Sequence, residues 1–249
     1  MLERLSDAHC HLEGEDPESY PPEGVEACAI CASFANEWSK LEEISRASVK
    51  KIFGIHPDIE ISKLDDIEIV ERQMRLTILP ELEKHMDSAD AIGEIGLDSR
   101  IADRVPIEIQ KTLFETQLGM AAKRGLPVVI HCVGEWGALY DILRDFTKNR
   151  GLKKFLIHAA SCSAQMAVQF EKIGARFSFG IRELSSKRGA ECARAASPER
   201  ILTETDGECS AESLENAAAA LAALGACRPL KSQSPLLKTS TRSIQNDTG

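Results

Sequence analysis

Five of the chain's six histidines, His9, His11, His56, His131 and His158, stand at or just past the end of a short apolar run. Glu94 and Asp206 occupy the same kind of place in two further runs. Imidazoles and carboxylates are donors for divalent cations, so a set collected on one rim would make a metal-dependent hydrolase. The first element reads Asp7-Ala-His9-Cys-His11. On a strand, residues two apart share a face, which points Asp7, His9 and His11 inward and Cys10 outward. Two imidazoles so placed can grip one divalent ion, with Asp7 as an acceptor that orients a ring. An H-x-H pair alone carries little weight; the whole set carries the inference.

Glu94 lies inside the apolar run Ala91-Ile-Gly93-Glu94-Ile-Gly96-Leu-Asp98. A carboxylate there is costly to bury unless paired or metal-bound, and Glu94 could bridge two ions. Gly93 and Gly96 leave room for a ligand or another backbone. Asp98, at the end of the run, suits a carboxylate turned to solvent. Pro127-Val-Val-Ile-His131 and Phe155-Leu-Ile-His158 are apolar strands that end in histidine. In Ile201-Leu-Thr-Glu204-Thr-Asp206, Asp206 could ligate a metal and take a proton from an attacking water. Glu204 shares its face, either supporting the ligands or filling a core layer, while Thr203 and Thr205 should face the helices. His85 falls in a helix-like stretch and is expected on the solvated surface.

Eight β-like runs position these residues: Arg4–His11, Val25–Ser33, Val49–His56, Ala89–Leu97, Leu126–Cys132, Lys153–Ala159, Ala175–Gly180 and Arg200–Thr205. They are short and apolar, as strands buried on both faces should be. Apolar residues at three- and four-residue spacing predict helices over Asn36–Ser48, Leu64–Met86, Pro106–Arg124, Glu135–Arg150, Ser161–Gly174, Ser186–Ala196 and Ala211–Leu224. Pro106 suits a helix start, and Gly125 and Gly174 suit stops. The first connection, Gly14–Gly24, is a proline-rich loop. Strands alternating with helices predict an α/β fold, a single-domain (β/α)8 TIM barrel over residues 1–228 with its metal site at the C-terminal strand ends. An open doubly wound sheet would not gather eight strand ends into one ring. Residues 229–249 are polar, without periodicity, and are expected to form a mobile tail. Such barrels often bind phosphate after strands seven and eight. There the chain reads Gly180-Ile-Arg182-Glu-Leu-Ser-Ser-Lys187-Arg188, making Arg182 and Lys187 candidate phosphate contacts, unless the cluster is only a solvated helix start.

The net charge of −9 argues against a protein that coats nucleic acid through a broad basic surface, but not against a local grip on one phosphate. Eight cysteines are spread along a chain without a secretory signal, so reduced thiols and a cytoplasmic location are expected. Cys28 and Cys31 form a lone C-x-x-C whose members face opposite sides of a strand, which suits packing better than zinc. No apolar stretch approaches the roughly 20 residues of a membrane span, and nothing signals an obligate protein partner.

As an ordered set, Asp-Ala-His-Cys-His-Leu, Gly54-Ile-His-Pro57, Ala-Ile-Gly-Glu-Ile-Gly-Leu-Asp, Gln110-x3-Phe114-x2-Gln117, Leu-Pro-Val-Val-Ile-His-Cys and Glu-Thr-Asp strongly resemble the TatD family of metal-dependent deoxyribonucleases. The resemblance runs from about Ser6 to Asp206. It implies two divalent ions, Mg²⁺, Mn²⁺ or Zn²⁺, with His9, His11 and Asp206 on one, His131 and His158 on the other, and Glu94 between. It also implies a single-stranded or frayed DNA end as substrate, and His56 is similar to a substrate-side histidine of the family, with a purely structural hydrogen bond as the alternative. Two features depart from the family: Gly207-Glu-Cys-Ser-Ala replaces a longer substrate loop, and the closing C-terminal helix gives way to the polar tail. A related barrel hydrolyzing an amide, lactone or phosphotriester is the second possibility, although the carboxylated lysine that often bridges metals there has no counterpart on the strand of Glu94. A barrel that has lost activity and serves as a binding protein is the third.

Overall fold

The computed structural model describes residues 5–12, 16–59, 72 and 74–226. Eight strands form one parallel sheet in chain order. They are β1 (Leu5–His11), β2 (Val25–Ala32), β3 (Val49–Phe53), β4 (Ala91–Asp98), β5 (Val128–Val133), β6 (Phe155–Ile157), β7 (Ala175–Phe179) and β8 (Ile201–Thr203). The β8 end of the sheet returns to β1, where His11 N–H donates to Gly207 O (2.9 Å), Asp206 N–H to His9 O (3.1 Å) and Thr203 Oγ1 to Ser6 O (3.3 Å). The predicted barrel is therefore present, and the open sheet is not.

Around it lie α1 (Ala35–Glu42), α2 (Leu79–His85), α3 (Ile107–Arg124), α4 (Trp136–Asn149), α5 (Ala164–Lys172), the single turn α6 (Ile181–Leu184), α7 (Lys187–Ala195) and α8 (Ala211–Ala223). Most helices sit where apolar periodicity placed them, because their buried stripes, such as Leu139, Leu143 and Phe146 of α4, cover the sheet; α1 ends at Glu42, short of the expected Ser48, and α6 has no counterpart among the expected helices. Gly125 stops α3 in the left-handed conformation at φ 69°, and Pro106 precedes the first helical residue by one position. Of the helix expected over 64–86, the described part is a π-helical turn at Met74–Ile78 followed by α2. The expected polar tail lies outside the described residues.

The core has two layers. Ala8, Ala29, Cys31, Ile52, Ala91, Val129, Leu156 and Leu202 fill the barrel, and larger aliphatic and aromatic residues pack between strands and helices. Two bulges decide which residues join which layer. On β4, Ile92 pairs with Val128 but Ile95 pairs with Ile130, so β4 spends one more residue than β5 there. Ile92 and Ile95 both belong to the outer layer. Strict alternation would place Glu94 beside Ile92 outside; the extra residue turns it into the barrel. A Cβ on Gly96 would stand 1.8 Å from His131 O, and one on Gly93 2.7 Å from Val129 O. Both glycines thus serve close backbone approach to β5. On β1 the same slip falls between Asp7 and Cys10. It separates Asp7 from the face of His9 and His11.

His85 is buried rather than solvated. Its ring packs 5.6 Å from both Trp38 and Phe53, and its Nδ1 meets Glu42 Oε2 at 2.7 Å. The α2 terminus lies against α1, and the ring's polar edge has the Glu42 carboxylate as partner.

Candidate metal centre

His9, His11, Glu94, His131, His158 and Asp206 converge at the C-terminal mouth from five strand ends. Glu94 lies at the centre. Its Oε2 stands 3.5 Å from His9 Nε2 and 3.7 Å from His11 Nε2, and its Oε1 stands 2.8 Å from His131 Nδ1 and 2.5 Å from His158 Nε2. One oxygen therefore addresses each histidine pair. Asp206 Oδ1 closes the first group, 3.5 Å from His9 Nε2 and 3.8 Å from His11 Nε2. Those two imidazole nitrogens are themselves 3.1 Å apart.

Donor chemistry and spacing fit a cation. Bonds of about 2.0–2.1 Å in a tetrahedron put neighbouring donors about 3.4 Å apart, near the separations of the first group. The second group is tighter, as expected of direct hydrogen bonds. Asp206 also has a left-handed backbone at φ 51°, which aspartate tolerates better than most residues.

Ring orientation follows from the outer nitrogens. His11 Nδ1 meets Cys31 O at 3.1 Å, and His9 Nδ1 meets Cys31 Sγ at 3.2 Å. A proton on each Nδ1 leaves Nε2 free as a donor atom. Cys31 thus has the orienting part expected of Asp7. The Asp7 carboxylate instead accepts from His9 N, Thr205 N and Thr205 Oγ1 at 3.1, 3.1 and 2.7 Å, tying β1 to the chain after β8. Thr205 correspondingly turns its hydroxyl to this seam and not to the helices. Glu204 is buried; its Oε1 accepts from Ala159 N at 2.6 Å and its other oxygen from Ser178 Oγ, so it braces the turn just after His158.

Asp98 corrects the sequence expectation most clearly. Only 2% exposed, its Oδ2 lies 3.1 Å from His131 Nε2, and its carboxylate also receives the Arg100 guanidinium and the Arg100 N–H. It faces inward because Glu94, Gly96 and Asp98 alternate along one side of β4, a signal already present in the spacing. Gln110 of α3 pins this strand end through Asp98 N (2.7 Å) and Asp98 O (3.0 Å). Gln117, two turns on, does the same for Ile55 N (2.8 Å) and Ile55 O (3.1 Å), the residue before His56.

His56 stands 3.6 Å from Glu94 Oε1 through Nε2, while its Nδ1 accepts from Asp58 N at 3.0 Å. In the neutral ring the proton therefore sits on Nε2, making it a hydrogen-bond donor toward the site. Burial lowers His56 to about 4, with the neighbouring His131 adding to the effect, so the ring is neutral. Burial likewise lowers His9 to about 4, helped by His158. Burial opposes charge on His11 and His131 too, but Asp206 and Glu94 on one, and Asp98 and Glu94 on the other, raise both to about 9. Against its own desolvation, Glu94 is held well below the usual carboxylate range by His158, His131 and His9, and Asp206 is held low by His11 and His9.

The rim carries cations and apolar groups. Arg182, on α6, donates to Asp206 Oδ2 (2.6 Å) and Glu183 Oε1 (2.7 Å) with its side chain 72% exposed. Arg100 is also mostly exposed and close enough to Arg182 to feel its charge. Lys187 is exposed at the first turn of α7 and has no hydrogen-bond or ion-pair partner among the described residues. Phe34, 41% exposed, lies 6.3 Å from the His56 ring. Arg100, Cys31 and Phe34 are the site residues that no spacing signal singled out, whereas Asp98 was marked by its phase on β4. After Asp206 the short turn runs back along β1 through the His11–Gly207 bond and buries Cys209 before Ser210 caps α8.

A parallel (β/α)8 barrel with imidazole and carboxylate donors gathered at its C-terminal mouth defines the class of metal-dependent hydrolases. Comparison with known families matches residues 6–219 to TatD related DNase, and the chain belongs to that family. It is 28% identical over 218 residues to the uncharacterized metal-dependent hydrolase YabD of Bacillus subtilis (strain 168), covering 81% of this chain and 79% of YabD. It is 26% identical over 216 residues to human deoxyribonuclease TATDN3, covering 81% and 77%. The crystal structure of the TatD homolog YjjV from Escherichia coli K12 shares the fold, with a TM-score of 0.68, 22% identity and 95% of each chain covered. Among the described residues no helix is long and apolar enough to cross a membrane.

Proposed function

We propose that the chain is a deoxyribonuclease that shortens DNA from an end with two divalent ions. The observation that carries this is the Glu94 carboxylate, whose two oxygens face two separate histidine pairs. His9, His11 and Asp206 would hold one ion and His131 and His158 the other, with Glu94 bridging. Ions so held would supply Lewis acidity to a phosphoryl oxygen and to the leaving oxygen. The protein's own groups do the rest. Asp206 remains ionised at neutral pH and can accept the proton of an attacking water. Neutral His56 donates from Nε2 toward a substrate oxygen. Arg182 and Arg100 supply two exposed guanidiniums for the phosphates beside the scissile one, a local grip on an otherwise acidic protein. The name of the human relative and the family match support DNA as the substrate.

The test is incubation of purified protein with end-labelled single-stranded DNA, with Mg²⁺, Mn²⁺ or Zn²⁺ and with EDTA, alongside metal analysis of wild type and Glu94→Ala. Metal-dependent shortening from one end, with metal lost from the variant, is expected. Internal cuts would overturn the end-directed mode. Equal metal content in the two proteins would overturn the ligand assignment.

A further inference from the structure

A second donor cluster lies on the other side of β1. Cys10 stands between the two histidines of that strand but points away from them, into the layer between sheet and helices. Cys28 of β2 and Cys209 of the turn after Asp206 point into the same place, and the three sulfurs lie within 4.8 Å of one another. All three side chains are buried, in a shell that includes Tyr20, Ile30 and Leu214. Asp7 lies against Cys209 but is not part of this three-sulfur set, and no imidazole joins the set among the described residues. Its members come from three separate stretches of chain.

We propose that Cys10, Cys28 and Cys209 form a three-thiolate site for one thiophilic d10 cation, zinc(II) or copper(I), separate from the hydrolytic centre. With metal–sulfur bonds of about 2.3 Å, tetrahedral and trigonal sulfurs stand about 3.8 and 4.0 Å apart, inside the observed bound. Thiolates select such ions over magnesium or manganese. Each thiol releases its proton to solvent on binding, and no change of oxidation state is involved. The trigonal set suits copper(I) as it stands. Zinc needs a fourth donor, and the Asp7 carboxylate against Cys209 already takes three hydrogen bonds. The site spans the place where the barrel closes: it would clamp β1 and β2 to the turn that follows Asp206.

The test uses the full chain, stripped of metal with its eight thiols confirmed reduced, and titrated with cobalt(II) as a spectroscopic probe. Thiolate ligation gives an intense near-ultraviolet charge-transfer band that histidine and carboxylate ligands do not. One equivalent should produce the band in wild type and in Glu94→Ala, which separates this site from the hydrolytic one. The band should vanish in Cys209→Ser and persist in Cys162→Ser, whose target pairs with Cys192 at 3.5 Å elsewhere. Displacement of cobalt by zinc or by copper(I) in competition with a chelator then ranks the two ions. Should Cys209→Ser fail to fold, X-ray absorption on the wild type with zinc or copper(I) decides, with about three sulfur neighbours at about 2.3 Å expected. No charge-transfer band in reduced wild type, a band unaffected by Cys209→Ser, or a sulfur-free absorption spectrum overturns the proposal.

Discussion

Asp98→Asn isolates the contribution of a residue that touches neither the proposed ions nor the substrate. The amide keeps the shape and can still accept from His131 Nε2, but it removes the charge. His131 is held near 9 against an ordinary 6.5, which corresponds to about 3 kcal/mol favouring the imidazolium, net of its burial cost. Two carboxylates supply this, Asp98 at 3.1 Å and Glu94 at 2.8 Å. An even division assigns about 1.5 kcal/mol to Asp98, or about tenfold in an equilibrium. Metal affinity is a separate equilibrium, for which loss of the partner of a ligating histidine costs roughly ten- to hundredfold. Three readouts check it. The ring-proton NMR titration of His131 in metal-free protein should move toward neutrality, metal affinity should fall about ten- to hundredfold, and Asp98→Glu should restore part of it. An unmoved titration together with unchanged metal affinity would refute the assignment of Asp98 as the residue that positions His131.

Four further outcomes are expected. Arg182→Ala should raise KM for DNA about tenfold or more, by loss of a charge-assisted contact, with metal content preserved; unchanged kinetics would dismiss it as a phosphate ligand. Phe34→Ala should weaken binding of a single-stranded end by about 1–3 kcal/mol if the ring stacks on a base, yet spare an abasic end; equal losses on both would exclude stacking. Gln117→Leu leaves the Ile55 N–H and C=O unpaired, so a stability loss of about 1–3 kcal/mol or more and a displaced His56 are expected, visible as a lower Tm and a raised KM at normal metal content. Metal-free protein carries His11 and His131 raised to about 9, so their ion pairs stabilise it fully below about pH 6.5 and progressively less as pH climbs through 9. Its Tm should fall across that window, and a flat profile would contradict the pairing.

Strand and helix positions were legible because each wall strand is an apolar run and each helix has an apolar stripe, signals that survive without tertiary context. The donor residues were legible because each lies in, or just past the end of, such a run. What was not legible is phase. Counting by twos placed Asp7 with His9 and His11, and the bulge on β1 undoes that count. The same count would exclude Glu94 from the face opposite Ile92, and the bulge on β4 brings it in. A bulge is set by pairing with the neighbouring strand, which no local pattern records. Cys31 was hidden for a related reason: its carbonyl and its sulfur orient two rings, and only the sulfur is a side-chain signal. His85 was misplaced because its partner Glu42 is distant in sequence.

The turn after Asp206 links these observations to substrate choice. It runs along β1 through the His11–Gly207 bond and buries Cys209, so this part of the chain is committed to the wall of the barrel. On the proposed reading, contacts to substrate would fall to the loops after β2, β3, β4 and β7, which carry Phe34, His56, Arg100 and Arg182. Two of these are guanidiniums close enough to repel each other, and each is offset by an acidic residue of the site, Asp98 or Asp206. A phosphate arriving between them relieves that repulsion, whereas a neutral amide or lactone does not. If Arg100 and Arg182 take phosphates as proposed, these rim charges would favour an anionic ester over an amide or lactone.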